Sequence, residues 1–444
     1  MSDDNRLARY KGRAALRNIT ENTRCFDCGR RSVLPGGNVE LRRNSDGVAG
    51  FAGLFTCGKV WLCPVCNSKV MARRALEIGV ALAWAHNQGL HVIWGSLTCR
   101  HTAQTALTES VTVQRAGWKA LVSSHSWRTA NATSRVAHVE HSDRCPWVCN
   151  FADAHVCGPD AGCEYACPRV YDTVQKMDAV GNFAGGRVGY IRAAELTVGS
   201  NGFHPHFHPL ILFRGTEQEA EWFAADVVSE WVLGVENGGG EAQRDGAQQL
   251  KVVSGVAVYE ALTGYVTKST YNYAGLALEA VWSQGKTGRG RVRGTVAHWT
   301  LLAAIEQGLS DEAGQWLELE EAMNGHRMIT WSRGLRDFAG LNDEEDDATV
   351  AAKDIGSKSD TVIVITAAGW VGLRDNPVGL SMVLDVLSEH GWEKLGVLLD
   401  FLGVEWVTVD DLADVGDPVH REHANTGRDQ EFSATTSFLP AAAY

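Results

Sequence analysis

His204, His206 and His208 occupy alternate positions of the apolar run GFHPHFHPLILF, residues 202–213. Side chains at i and i+2 share one face of a strand, so an extended run points all three imidazoles the same way. Apolar packing gains nothing from three imidazoles, whereas a divalent cation gains ligands. Upstream, Ser200 and Asn201 suit a two-residue hairpin loop. That loop pairs Gly199 with Gly202 and sets Glu195 directly opposite His206, with Cβ atoms about 5 Å apart. His208 follows about 7 Å along the same face. His204 and His208 are about 13–14 Å apart on that rise, so the ligand pair is 204/206 or 206/208. Phe207 suits a position whose face is core, and Pro205 weakens regular pairing around itself. The expected centre is therefore Glu195, His206 and His208, with His204 as an outer ligand. Two imidazoles and one carboxylate suit Mn²⁺ or Mg²⁺ acting on phosphate, and also Zn²⁺ or Fe²⁺.

The chain has 11 cysteines, ten of them in two clusters. Cys25 and Cys28, then Cys63 and Cys66, form two C-x2-C pairs, the spacing of a four-cysteine zinc ribbon. Cys57 is placed to replace one of the four. The second cluster, Cys145, Cys149, Cys157, Cys163 and Cys167, lies in an irregular stretch beside His138, His141 and His155. It reads as a second zinc-stapled insertion over 141–170, or as a loop with free thiols. Cys99 reads as a core thiol.

These groups need elements to position them. Residues 90–101 and 189–214 read as a strand and a β-hairpin, and helices are expected over 103–122 and 216–235. A strand at 247–256 and a helix carrying Tyr265 follow. This is the order of a ferredoxin-like or RRM-like antiparallel sheet, so the fold class is α+β. A basic N-terminal region with the ribbon (1–88) precedes a core (89–340). An acidic linker (341–359), a small, mostly helical C-terminal unit (360–414) and a disordered tail (415–444) follow it. The chain has 444 residues and a net charge of −12. Residues 1–120 nevertheless hold 17 Lys/Arg against 8 Asp/Glu, and 301–444 hold 9 against 27. Local basic surface decides phosphate binding, so nucleic acid stays a candidate partner, through the ribbon, Arg73, Arg74 and the basic stretch 283–295. The tail past 342 is expected to face away from it. No apolar run of about 18 residues suggests a span, and the N-terminus lacks a signal-peptide core, so a cytoplasmic protein without a membrane partner is expected.

HPHFHPLILF resembles the HUH motif (His, bulky apolar, His) of rolling-circle plasmid replication initiators. RAAELTVGSNGFHPHFH looks like that family's second motif with the strand before it, SLTCRH (96–101) like its first, and GYVTK (264–268) like its third, Y-x-x-K. VWLCPVCNSKVMARRALEI and MITWSRGLRDF are similar to the actinobacterial branch. The resemblance spans roughly residues 55–340. It implies a metal-dependent, strand-specific DNA endonuclease with Tyr265 as nucleophile, forming a 5′-phosphotyrosine at a plasmid origin. On the residues alone Tyr265 reads as an ordinary tyrosine of an amphipathic helix, and Tyr259, Tyr271 and Tyr273 compete with it as nucleophiles. Lys268, one helical turn on, would favour the phenolate. Ala261 stands where the nearest plasmid type has a Glu that activates water. The role passes by resemblance to Glu260, about 140° from Tyr265 on an ideal helix. The implied partners are origin DNA, single-stranded or extruded as a hairpin, and a host helicase and polymerase. Two alternatives are an HUH transposase or relaxase with the same chemistry, and an inactive zinc-ribbon DNA-binding regulator.

Overall fold

A computed structural model describes residues 3–130, 186–244, 247–254, 296–409 and 411. Two antiparallel sheets organise them. The first contains β3 (His91–Thr98), β4 (Gly186–Gly199), β5 (Gly202–Arg214), β6 (Gln249–Val253) and β7 (Val296–Ala297) in the order β6-β3-β5-β4-β7. β8 (Ile329–Trp331) also pairs with β4. A helix, Leu107–Ser123, follows β3, and another, Glu217–Asn237, joins β5 to β6. The second helix starts on a capping box in which Thr216 and Glu219 each satisfy the other's backbone.

The two helices cover one face of this sheet. Ile93, Leu97, Phe207 and Ile211 meet Trp118 and Leu121 of the first helix and Val227 and Trp231 of the second. The other face carries Val92, Ile191, Leu210 and Leu212, which share a core with Ile78, Leu82 and Ala85 of the long Pro64–Asn87 helix. Burying each of these larger side chains contributes about 1.5–3 kcal/mol. The hydrophobic period of two along β5 therefore fixes which face Phe207 and its imidazole neighbours take.

The second sheet crosses the domain division expected from sequence. It has the order β10-β9-β1-β2, with β1 at Val39–Arg43, β2 at Ala49–Ala52, β9 at Thr361–Ile365 and β10 at Trp406–Thr408. β1 pairs with β9, so the N-terminal region and the C-terminal unit share one sheet. Val39, Leu41 and Phe51 pack with Ile363, Trp370, Leu384, Leu395 and Leu399 in a single core. The expected acidic linker is also built into the fold. Its Asp347–Ala352 helix, capped by Asp346, is tied to the Pro64–Asn87 helix through Arg74 and Asp347. Excess acid in 341–359 supplies partners for buried arginine rather than a solvated spacer.

Candidate metal centres

Gly199 pairs with Gly202 across the β4–β5 turn, and Glu195 with His206. Gly202 has φ of 80°, a conformation that a side chain would strain. This register brings Glu195, His206 and His208 into one group whose ligand atoms all lie within 4.8 Å of one another. His206 Nε2 is 3.2 Å and His208 Nε2 2.7 Å from the same Glu195 oxygen, Oε2. The other ring nitrogens are held by backbone. His206 Nδ1 donates to the His204 carbonyl at 3.1 Å, and His208 Nδ1 to the Gly95 carbonyl at 2.8 Å. A neutral imidazole that donates through Nδ1 presents a lone pair at Nε2. Two such lone pairs and a carboxylate oxygen then face one another, an arrangement that requires a cation or additional protons between them. Fixing the outer nitrogen on a carbonyl is how metal-binding imidazoles are oriented. The donor set thus fits a divalent ion.

Two local devices hold this geometry. Gly95 has φ of 156°, and a Cβ there would lie 1.5 Å from the Gln249 carbonyl oxygen. The β3–β5 ladder skips Gly95 and Ser96, opposite His208 and Pro209. Pro209 has no N–H to offer there, and the Gly95 carbonyl is free to take His208. Gln114, buried on the Leu107–Ser123 helix, supports the strand from the side. With its amide oxygen turned to β5, it accepts from the His206 and Phe207 N–H groups at 3.0 and 3.3 Å. Burial pushes the Glu195 carboxyl up, and positive charge on the side of His206 and His208, carried by added protons when no ion lies between them, outweighs it. The net effect holds the group below the usual carboxylate range.

His204 stands beside the group rather than in it. Its ring centre is 5.1 Å from that of His206, and its Nδ1 lies 3.2 Å from His101 Nδ1. Burial, then the neighbouring His206 and His101, push it down to about 4, so it is neutral at neutral pH. His101 is a residue that sequence reasoning misses, although it ends the SLTCRH motif; nothing local ties it to His204. Gln114 and Gly95 leave no local signal either, because their partners lie on other elements.

Among the cysteines the structure groups Cys28, Cys57, Cys63 and Cys66, all buried and within 4.8 Å of one another. This differs from the expected set in one member. Cys25 is buried beside the group, on the short Thr23–Asp27 helix, while Cys57 takes the fourth corner. The reason is local: the bridge between Ser32 and Leu54 brings the strand just before Cys57 against the turn that follows Cys28. Sulfur separations are 3.7 Å for Cys28–Cys63, 3.5 Å for Cys28–Cys66 and 3.6 Å for Cys57–Cys66. A tetrahedral zinc with bonds of about 2.3 Å has edges of about 3.8 Å, so the cluster fits zinc. Cys63 stands at the N-cap position of the Pro64–Asn87 helix and Cys66 lies in its first turn, so the start of one helix fixes both sulfurs. Hydrogen bonds from Cys57, Cys63 and Cys66 draw Cys28 well below the ordinary thiol value. Arg17, also buried, donates to the Cys28 carbonyl at 2.7 Å.

Several expectations fall outside the described residues: Tyr265, Lys268 and Glu260, the cysteines of 141–170, and the basic stretch 283–295. Arg74 does not fit a DNA-contacting role. It is 2% exposed and bound to Glu77 at 3.0 Å and Asp347 at 2.9 Å. Arg73 is half-exposed and pairs with Glu77 at 3.1 Å.

Over 377 residues the chain is 26% identical to the protein rep of Streptomyces lividans, covering 76% of each chain. Over 185 residues it is 30% identical to a neomycin resistance protein of Streptomyces cyanogenus, covering 41% of this chain and 36% of that one. No family model matches the chain, and no solved structure matches it. The chain is thus similar to a Rep protein and carries two clusters suited to metal. Among the described residues no helix is long and apolar enough to cross a membrane.

Proposed function

We propose that this chain is an HUH-type DNA endonuclease and strand transferase that nicks and rejoins one strand at a plasmid origin, starting rolling-circle replication. The observation that carries this reading is the convergence of His206 Nε2 and His208 Nε2 on Glu195 Oε2, with both Nδ1 atoms fixed by backbone carbonyls. The strand order supports it. Taking β3, β4, β5 and β6 as strands one to four gives 4-1-3-2 with helices after the first and third, the ferredoxin-like arrangement. Similarity to the protein rep of Streptomyces lividans points the same way.

Mn²⁺ or Mg²⁺ held by Glu195, His206 and His208 would polarise the scissile phosphate and offset charge on the leaving oxygen. Tyr265 supplies the nucleophile. Its phenolate oxygen bonds to phosphorus, the bond from phosphorus to the 3′ oxygen breaks, and that oxygen takes a proton. A 5′-phosphotyrosine and a 3′ hydroxyl result. Lys268 favours the phenolate as a nearby cation. Attack by a 3′ hydroxyl on the phosphotyrosine reverses the step, so rejoining needs no ATP. Glu260 would activate water to end the cycle. Zinc at the cysteine cluster is structural, and a second zinc is assigned to 141–170. The partners are origin DNA, single-stranded or extruded as a hairpin, and a host helicase and polymerase.

The test is cleavage of a single-stranded origin oligonucleotide with Mn²⁺, followed by mapping of the covalent adduct. The adduct is expected on Tyr265 and absent from Tyr265→Phe. An adduct on Tyr259, Tyr271 or Tyr273 would move the nucleophile. No cleavage by folded, metal-replete protein would overturn the reading.

A further inference from the structure

Phe55 carries two guanidinium groups. Arg31 lies 4.7 Å and Arg24 5.2 Å from its ring centre. Both arginines are exposed, and among the described residues neither has a carboxylate within ion-pair distance. Beside them Arg30 stacks on Phe26 at 4.8 Å, and Phe26 as a residue is 42% exposed. Arg30 is already engaged by Asp375 at 3.1 Å, which leaves Arg24 and Arg31 as the cations with charge to spare.

This surface is held in place by the cysteine cluster. Phe55 N–H donates to the Arg31 carbonyl at 2.8 Å, and Gly29 N–H to the Phe55 carbonyl at 2.7 Å. Cys28 and Cys57, two of the four clustered thiols, lie on the same two strands of chain. Two like charges on one ring repel each other, and a bound anion relieves that repulsion. Guanidinium groups match phosphate in geometry, and stacking on the ring holds them ready at little further loss of freedom.

We propose that Arg24, Arg31 and Phe55 form a docking surface for the phosphodiester backbone of DNA. The inference rests on the proposed nuclease reading for its partner. It replaces Arg73 and Arg74, which are engaged with carboxylates, by two cations that are not.

The test uses the full-length, zinc-loaded protein and a short fluorescent duplex of arbitrary sequence, with affinity measured across a salt series. Wild type should lose affinity steeply with salt as counterions are released. Arg24→Gln/Arg31→Gln should bind severalfold more weakly and flatten the log–log salt slope by about 2, one for each phosphate no longer neutralised. Arg24→Glu/Arg31→Glu should bind more weakly still. Zinc content and the urea midpoint, unchanged from wild type, establish that the variants are folded. Wild-type affinity and slope in both variants would overturn the proposal. So would a variant that loses only poly-glutamate binding, which would mark the surface as a docking site for an acidic protein. Binding is read without cleavage, so failure of the nuclease reading appears separately, as wild-type protein that binds but does not nick.

Discussion

Glu195 lies directly across the β4–β5 ladder from His206, and its Oε2 is 3.2 Å from His206 Nε2. His208, two residues on, reaches the same oxygen at 2.7 Å. One carboxylate oxygen thus organises both imidazoles. His206→Ala or His208→Ala should therefore lower metal-dependent nicking by at least about 100-fold, since each removes a ligand of the group that would polarise the phosphate. His204→Ala should cost less, because His204 contacts His101 rather than Glu195. Nicking rates with Mn²⁺ measure this. A His206→Ala protein as fast as wild type would remove the site from the mechanism, and a more damaged His204→Ala would shift the pair to 204/206.

Gln114 tests how far the strand depends on support from the helix. Gln114→Leu leaves the His206 and Phe207 N–H groups without that acceptor. The expected cost is about 1–3 kcal/mol in stability. Manganese affinity should fall about 10–100-fold, as when an outer partner of a metal site is removed. Gln114→Glu keeps an acceptor and should restore much of both. Urea midpoints and manganese titration would show it; equal metal affinity in Gln114→Leu and wild type would sink the idea.

The cysteine assignment separates two residues that sequence spacing cannot rank. Cys57→Ser should lose bound zinc and loosen the N-terminal region, because zinc binding contributes directly to folding. Cys25→Ser should retain one zinc per chain at that cluster. Zinc stoichiometry after metal-replete expression decides between them, and the reverse pattern would restore the ligand set drawn from the two C-x2-C pairs.

The hairpin is legible in the sequence because its information is local. A period of two, a Ser–Asn loop and the alternation of His with Pro and Phe determine the register before any other part of the chain is placed. The cysteine cluster is legible as a cluster but not as a set. Choosing Cys57 over Cys25 depends on the Ser32–Leu54 bridge, which no spacing rule contains. The second sheet is not legible at all. β1 and β9 are separated by more than three hundred residues, and each alone reads as a short strand with no named partner. The same distance hides the role of Arg74, whose carboxylate partner Asp347 comes from a stretch that composition marks as a solvated linker.

Arg74 accordingly belongs to the fold. Arg74→Ala leaves buried Glu77 with one cation fewer and Asp347 unpaired, a loss of about 3–5 kcal/mol for a broken buried pair. Arg73→Ala, at a half-exposed site, should stay within about 0.5 kcal/mol. Urea unfolding of the two variants should therefore differ clearly. Equal midpoints, with DNA affinity abolished in Arg74→Ala, would return that residue to the binding surface.

His298 gives the fold an acid-sensitive point. Its ring is buried, with Nδ1 3.2 Å from the Leu196 carbonyl and Nε2 3.2 Å from the Trp61 carbonyl. Burial pushes it down to about 4, with the two carbonyls opposing the shift. Unfolded, it titrates near 6.5. Between those values the unfolded chain binds a proton that the folded chain does not, so stability falls as pH drops from about 6.5 towards about 4. Across the window this one group accounts for about 3 kcal/mol. His204 acts in the same direction but less strongly, being only partly buried. His298→Gln should therefore show a flatter loss of stability over that window than wild type. Urea unfolding at several pH values, with both proteins metal-replete, cancels the contributions they share. Parallel curves for the two proteins would mean that His298 is already protonated in the fold, donating to both carbonyls as an imidazolium.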